Sequence, residues 1–164
     1  MSKPELTYVP AGEDRFGESR GLGVSVIRFK VTSPNGDGPL VLENEFHARG
    51  GPARHLHHDQ DEWFYIIAGE FLMEVGDVRF TLRPGDSVLA PRRVPHVWAC
   101  VGDGYGRILV AFYPAGHMEA FFRAVRVFWT GRPAVCARGA GFFLGGAVCI
   151  FLNMPMECGR FFRT

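Results

Sequence analysis

The chain has little cysteine: four residues in 164, three of them among the last 29. That count and clustering exclude a disulfide framework. It also lacks an excess of charge of either sign. A net charge of +1 gives no electrostatic ground for binding nucleic acid or an acidic partner. The first residues, MSKPELTYVPAGEDRFGE, carry no apolar core of the kind a secretory signal needs, so a cytoplasmic location is expected. Long apolar runs are missing as well. The most apolar stretch, Ala140–Leu152, is shorter than the roughly 20 residues a membrane helix requires, and glycines interrupt it. No membrane partner is expected. Glycine and proline, by contrast, are plentiful at 21 and 11 residues. Many short strands joined by tight turns have such a composition, and the length suits one domain with a sizeable core.

The chain is organised around a segment containing His55, His57, His58 and Glu62, which runs into the apolar stretch before Gly69. In an extended chain His55 and His57 point to one face, about 7 Å apart. Two imidazoles so placed are a usual start to a metal site. Glu62, five positions after His57, would face the other way on an unbroken strand. The polar residues His58-Asp59-Gln60-Asp61 predict a bend that resets the face. Beyond it Glu62, Phe64 and Ile66 share one face, and Trp63, Tyr65 and Ile67 the other. Both faces carry apolar groups, so cover is expected on both sides. A third imidazole should come from elsewhere in the sheet, and His96, after the turn at Pro84-Gly85-Asp86, is the candidate.

These residues resemble the cupins. The first cupin motif runs Gly, five residues, His-x-His, three or four residues, Glu, six residues, Gly. His55, His57, Glu62 and Gly69 match it from the first histidine onward. The second motif is matched by Gly85, Pro91 and His96. The opening glycine falls at Arg49, with Gly50 and Gly51 beside it. Arg93 stands where the second motif has glycine, and Cys100 where it has asparagine. The resemblance implies an all-β double-stranded β-helix, or jelly-roll barrel, with a C-terminal helix. It implies that His55, His57, Glu62 and His96 hold one divalent metal ion, with Fe, Mn, Ni, Co and Zn all open. It further implies a metal-dependent oxidoreductase resembling the quercetin dioxygenase-like cupins, with a small aromatic or enol substrate and Glu62 doubling as a catalytic base. A non-catalytic binding module and a metal-dependent isomerase or lyase stand as alternatives, because the family hosts all of these. Cupins often pair through N-terminal strands, so a homodimer is expected.

Four regions follow from the patterning: an arm over 1–23, a barrel over 24–113, a helix within 114–128 and an atypical tail over 129–164. Strands are predicted over Val24–Val31, Leu40–Phe46, Phe71–Val75, Val78–Leu82, Ser87–Ala90, His96–Val101 and Arg107–Tyr113, with turn signals between them. His117–Phe128 fits an amphipathic helix packed on the outside of the barrel, with Met118, Phe121, Phe122 and Val125 on one stripe. Residues 125–164 hold five arginines, one acidic residue and no lysine, against 13 basic and 16 acidic residues before them. No secondary-structure period is convincing there, and no function is assigned to the tail. His47, His58 and His117 read as structural or exposed. Arg92 and Arg93 read as a solvated pair or as a contact for an anionic substrate. Phe64, Ile66 and Trp98 read as inward-facing core or pocket wall.

Overall fold

The computed structural model describes residues 6–124, 143–144 and 147–148. The barrel contains nine strands: β1 (Arg20–Leu22), β2 (Ser25–Val31), β3 (Leu40–Phe46), β4 (Asp61–Ala68), β5 (Phe71–Val75), β6 (Val78–Leu82), β7 (Ser87–Ala90), β8 (His96–Cys100) and β9 (Gly106–Tyr113). They form two antiparallel sheets. One has the order β1-β2-β3-β9-β4-β7 and the other β6-β5-β8. This is the mostly-β cupin fold, followed by one short helix, α1 (Met118–Ala124). The tail is described only where β10 (Phe143–Leu144) pairs with β11 (Ala147–Val148). The part of the expected helix beyond Ala124, and the remainder of the tail, lie outside the described residues.

Alternation of side chains builds the interior. Along β4, Glu62, Phe64 and Ile66 are buried while Trp63 and Tyr65 are exposed. The five fully buried phenylalanines, Phe29, Phe46, Phe64, Phe71 and Phe112, come from five strands. Edge-to-face contacts join the two sheets: Phe46 meets Phe71 at 5.7 Å and Trp98 at 5.6 Å, and Phe64 meets Trp98 at 5.8 Å. Each such side chain contributes about 1.5–3 kcal/mol by leaving water. The outer face of β4 is only partly covered among the described residues. Trp63 and Tyr65 stack on each other at 5.9 Å and remain 37% and 36% exposed. Both lie on the outward face of β4. The helix places Met118 in the core and Phe122 5.7 Å from Phe112.

β1 was not anticipated. It lies inside the segment read as an arm, and a buried ion pair holds that segment in place. Asp14 accepts hydrogen bonds from the backbone N–H groups of Phe16 and Phe29 at 2.8 and 2.7 Å. It also accepts one from the Arg20 guanidinium at 2.9 Å. Arg20 in turn lies over the Phe29 ring at 4.7 Å. Burial alone would push the Asp14 carboxyl up. The N–H groups of Phe29 and Phe16 and the Arg20 guanidinium outweigh burial and hold it below its usual range.

Asp14→Ala leaves the Phe16 and Phe29 N–H groups without their acceptor and Arg20 with Glu18 alone, 2.7 Å from Nη2, so it should cost about 2–4 kcal/mol in denaturant unfolding. Because the folded carboxyl is the more acidic, this contribution is complete above about pH 4 and fades as pH falls through the lower folded value. A loss under 1 kcal/mol would show that the segment is held by other contacts.

Candidate metal centre

The four candidate residues come from three places. Glu62 is the second residue of β4 and points inward between Phe112 of β9 and Ala90 of β7. His96 opens β8. His55 and His57 do not sit on a regular strand. Their segment runs beside β8 and pairs with it at two isolated points. Gly50 and Cys100 exchange backbone hydrogen bonds at 3.1 and 2.8 Å, and His55 and His96 do so at 2.9 and 2.7 Å. A glycine is required at 51, because a Cβ there would collide with the Trp98 carbonyl oxygen. This accounts for the family glycine appearing beside its expected position. His58 and Asp59 then form the bend that returns the chain to β4.

The result is a compact buried cluster. One nitrogen from each of His55, His57 and His96 and one carboxylate oxygen of Glu62 all lie within 4.8 Å of one another. Glu62 Oε2 is 2.7 Å from His96 Nε2, 3.0 Å from His57 Nε2 and 3.7 Å from His55 Nε2. Two imidazoles are oriented by backbone carbonyls. His55 Nδ1 donates to Ala53 O at 2.7 Å and His96 Nδ1 to Val94 O at 3.0 Å. A carbonyl only accepts, so each Nδ1 carries the proton and each Nε2 presents its lone pair to the cluster when the ring is neutral. Phe112 packs edge-on against His57 at 5.4 Å, and Phe64 lies 6.2 Å from His96.

Charge within the cluster is mutually supported. Burial would raise the Glu62 carboxyl, but His55, His57 and His96 around it hold it well below its usual range. Burial would lower the His96 imidazole. The hydrogen bond and charge of Glu62, with the Val94 carbonyl, win, so His96 keeps its proton to higher pH than an ordinary histidine. The donor set of three imidazoles and one carboxylate, with Nε2 atoms converging, fits a borderline divalent ion such as Fe, Mn, Co, Ni or Zn.

The remaining sequence candidates lie elsewhere. His47, His58 and His117 are exposed. Arg92 is committed to Asp61 through Nε at 3.1 Å and Nη2 at 2.8 Å, which ties the loop before His96 to the start of β4. Arg93 adopts φ 65°, a left-handed conformation, at the position where the cupin motif has glycine. Its backbone N–H donates to His57 O at 2.6 Å, so this turn also holds the second histidine. Sequence reasoning missed the Ala53 and Val94 carbonyls and Phe112. Only the register that sets Phe112 opposite Glu62 could have signalled the last.

Residues 44–112 match the cupin domain family model. The chain is 32% identical over 60 residues to an uncharacterized protein of Methanocaldococcus jannaschii, covering 37% of this chain and 48% of that one. It is 32% identical over 62 residues to Protein SchB of Streptomyces halstedii, covering 38% and 45%. The chain thus matches about half the length of these curated relatives. Among solved structures, an RmlC-like cupin from Shewanella frigidimarina superposes with a TM-score of 0.59 at 22% identity, over 74% of this chain and 99% of that one. Enzymes are among the structural neighbours. Streptomyces Pac13, a nucleoside dehydratase, superposes with a TM-score of 0.54 at 10% identity, over 70% and 88%.

Removing one ring should disperse the donors, so His57→Ala should bind less than a tenth of the divalent metal held by the unaltered chain, by elemental analysis after dialysis. Unchanged metal content would remove this cluster as the site. Metal binding must expel the His96 proton, so affinity should weaken as pH falls through the raised His96 value, which lies above about 6.5. Titrations at pH 8 and pH 6 giving equal affinity would contradict this. Arg93→Gly relieves the left-handed turn and should raise stability by about 1 kcal/mol in chemical denaturation; a net loss would show that the Arg93 side chain contributes more than its backbone costs.

Proposed function

We propose that this cupin is a metal-dependent oxidoreductase, a dioxygenase of the quercetin dioxygenase-like kind that acts on a small aromatic or enol substrate. The observation that carries the reading is the convergence of three Nε2 atoms, two of them on rings oriented by backbone carbonyls, and one carboxylate at a buried point walled by Phe64 and Phe112. His55, His57, Glu62 and His96 are the proposed ligands. A divalent ion held by them supplies Lewis acidity and open positions for a substrate oxygen and O2. The chain's own residues do the rest. The aromatic walls favour a flat, mostly apolar molecule and exclude water from it. Glu62 is the proposed acceptor for the substrate hydroxyl proton. An enol or phenol hydroxyl, more acidic than an aliphatic alcohol, suits a carboxylate acceptor.

The proposed assembly is a homodimer. The exposed Trp63, Tyr65, Leu89 and Tyr113 on the outer face of the larger sheet support it, because a second copy would cover them. A cytoplasmic location is proposed from the sparse cysteine, including a free buried thiol at Cys100.

Protein loaded separately with Fe(II) and Mn(II) should consume O2 with a panel of flavonols and 1,3-diketones, at a rate at least tenfold above the His57→Ala variant. Tight binding of those compounds with no oxygen uptake would replace this reading with a binding module. Sedimentation of the full chain as a monomer would withdraw the dimer.

A further inference from the structure

Trp98 is two residues beyond His96 on β8, on the same inward face, so the two side chains are about 7 Å apart along the strand. Its ring is 5% exposed and lies among Phe46, Phe64 and Phe71. Phe64 links it to the cluster, 5.8 Å from Trp98 and 6.2 Å from His96. Yet Trp98 Nε1 is buried without a hydrogen-bond partner. An indole N–H only donates, and leaving one unpaired in an apolar interior is unfavourable. Phenylalanine would fill much the same space at no such cost. The interior does contain an acceptor, Asn44 Oδ1 on β3, but it too is buried and unpaired, so Trp98 does not reach it.

We propose that Trp98 is a specificity-determining residue whose indole N–H receives a neutral acceptor oxygen of the substrate. The inference rests on the metal-dependent reading above and narrows its substrate class. The substrate would carry coordinating hydroxyl oxygens at one end and a carbonyl or ether oxygen at the other, with a span on the order of the 7 Å between alternate residues of a strand. The deep acceptor is neutral because no cation is offered to it. Arg54, beside His55, is engaged with Glu74 at 3.1 Å and with Gly76 O at 2.6 Å, and Arg92 with Asp61. A carboxylate set among Phe46, Phe64 and Phe71 would lose its hydration for a single hydrogen bond.

The test uses the full chain loaded with Zn(II), which is redox-inert, and three probes with the same chelating head: catechol, 3,4-dihydroxybenzaldehyde and 3,4-dihydroxybenzoate. Dissociation constants are measured by calorimetry for the unaltered protein and for Trp98→Phe. The ratio of catechol to aldehyde dissociation constants should fall about five- to tenfold in the variant, the worth of one neutral hydrogen bond. The benzoate should bind more weakly than the aldehyde to the unaltered protein. An unchanged ratio, or benzoate binding tighter than aldehyde, overturns the inference. A second measurement needs no variant to fold: in 15N-labelled unaltered protein the Trp98 indole N–H resonance should move downfield with the aldehyde and not with catechol. No difference between the two also overturns it. Probes that bind equally well with and without the indole would leave the metal-dependent reading standing, whereas failure of all three to bind would remove both.

Discussion

Glu62 Oε2 stands 2.7 Å from His96 Nε2 and 3.0 Å from His57 Nε2, inside a barrel whose other inward side chains are nearly all apolar. A carboxylate in such surroundings is costly unless paired. The imidazoles that pair with it come from segments far apart in sequence. The carboxylate therefore constrains the larger sheet, which carries it on β4, to close against β8 and the loop that carries His55 and His57. The constraint acts in both directions. The histidines keep Glu62 ionised, and Glu62 raises the His96 imidazole, so without metal the cluster shares a proton and its charge stays balanced. A divalent ion would take the place of that proton.

Precision in the cluster depends on backbone rather than on side-chain packing alone. The paired hydrogen bonds between His55 and His96 set the distance between two donors to that of neighbouring strands. The Ala53 and Val94 carbonyls then set the rotation of each ring. Close approach at Gly51 and the left-handed turn at Arg93 permit this arrangement, one by lacking a side chain and the other at some conformational cost. Departures from the motif thus have different consequences. Moving the glycine by a residue or two still leaves one at the point of close approach. Replacing glycine by arginine at 93 preserves the turn and leaves strain in it.

Much of the architecture was legible in the sequence because alternation and turn residues are local signals. Leu40–Phe46, Phe71–Val75, Val78–Leu82 and Ser87–Ala90 are strands with the expected bounds. The bend at His58 and Asp59 turns Glu62 to the histidine side, as the polar run there suggested. What escaped notice depends on partners distant in the chain. β1 has three residues and no pattern of its own, and it is held by Asp14, whose carboxylate accepts a hydrogen bond from the Phe29 backbone N–H. Among the described residues the cover expected on both faces of β4 is only partial on the outer one, because its apolar residues specify only that each face prefers cover. They do not say that the chain supplies it, and Trp63 and Tyr65 cover one another only in part. The carbonyls that orient the rings are backbone groups, so no residue identity could reveal them.

A cluster of three imidazoles and one carboxylate serves many reactions, so the choice among them falls to the second layer of side chains. In this chain that layer is aromatic and short of charge. The nearby cations bind acidic partners or backbone oxygens, and the ring contacts from Phe112 to His57 and from Phe64 to both His96 and Trp98 leave flat surfaces beside the donors. Such an interior discriminates by what it fails to solvate. A polyanionic ligand would lose its water and gain no counter-charge, while a planar enol or phenol would lose little and stack well.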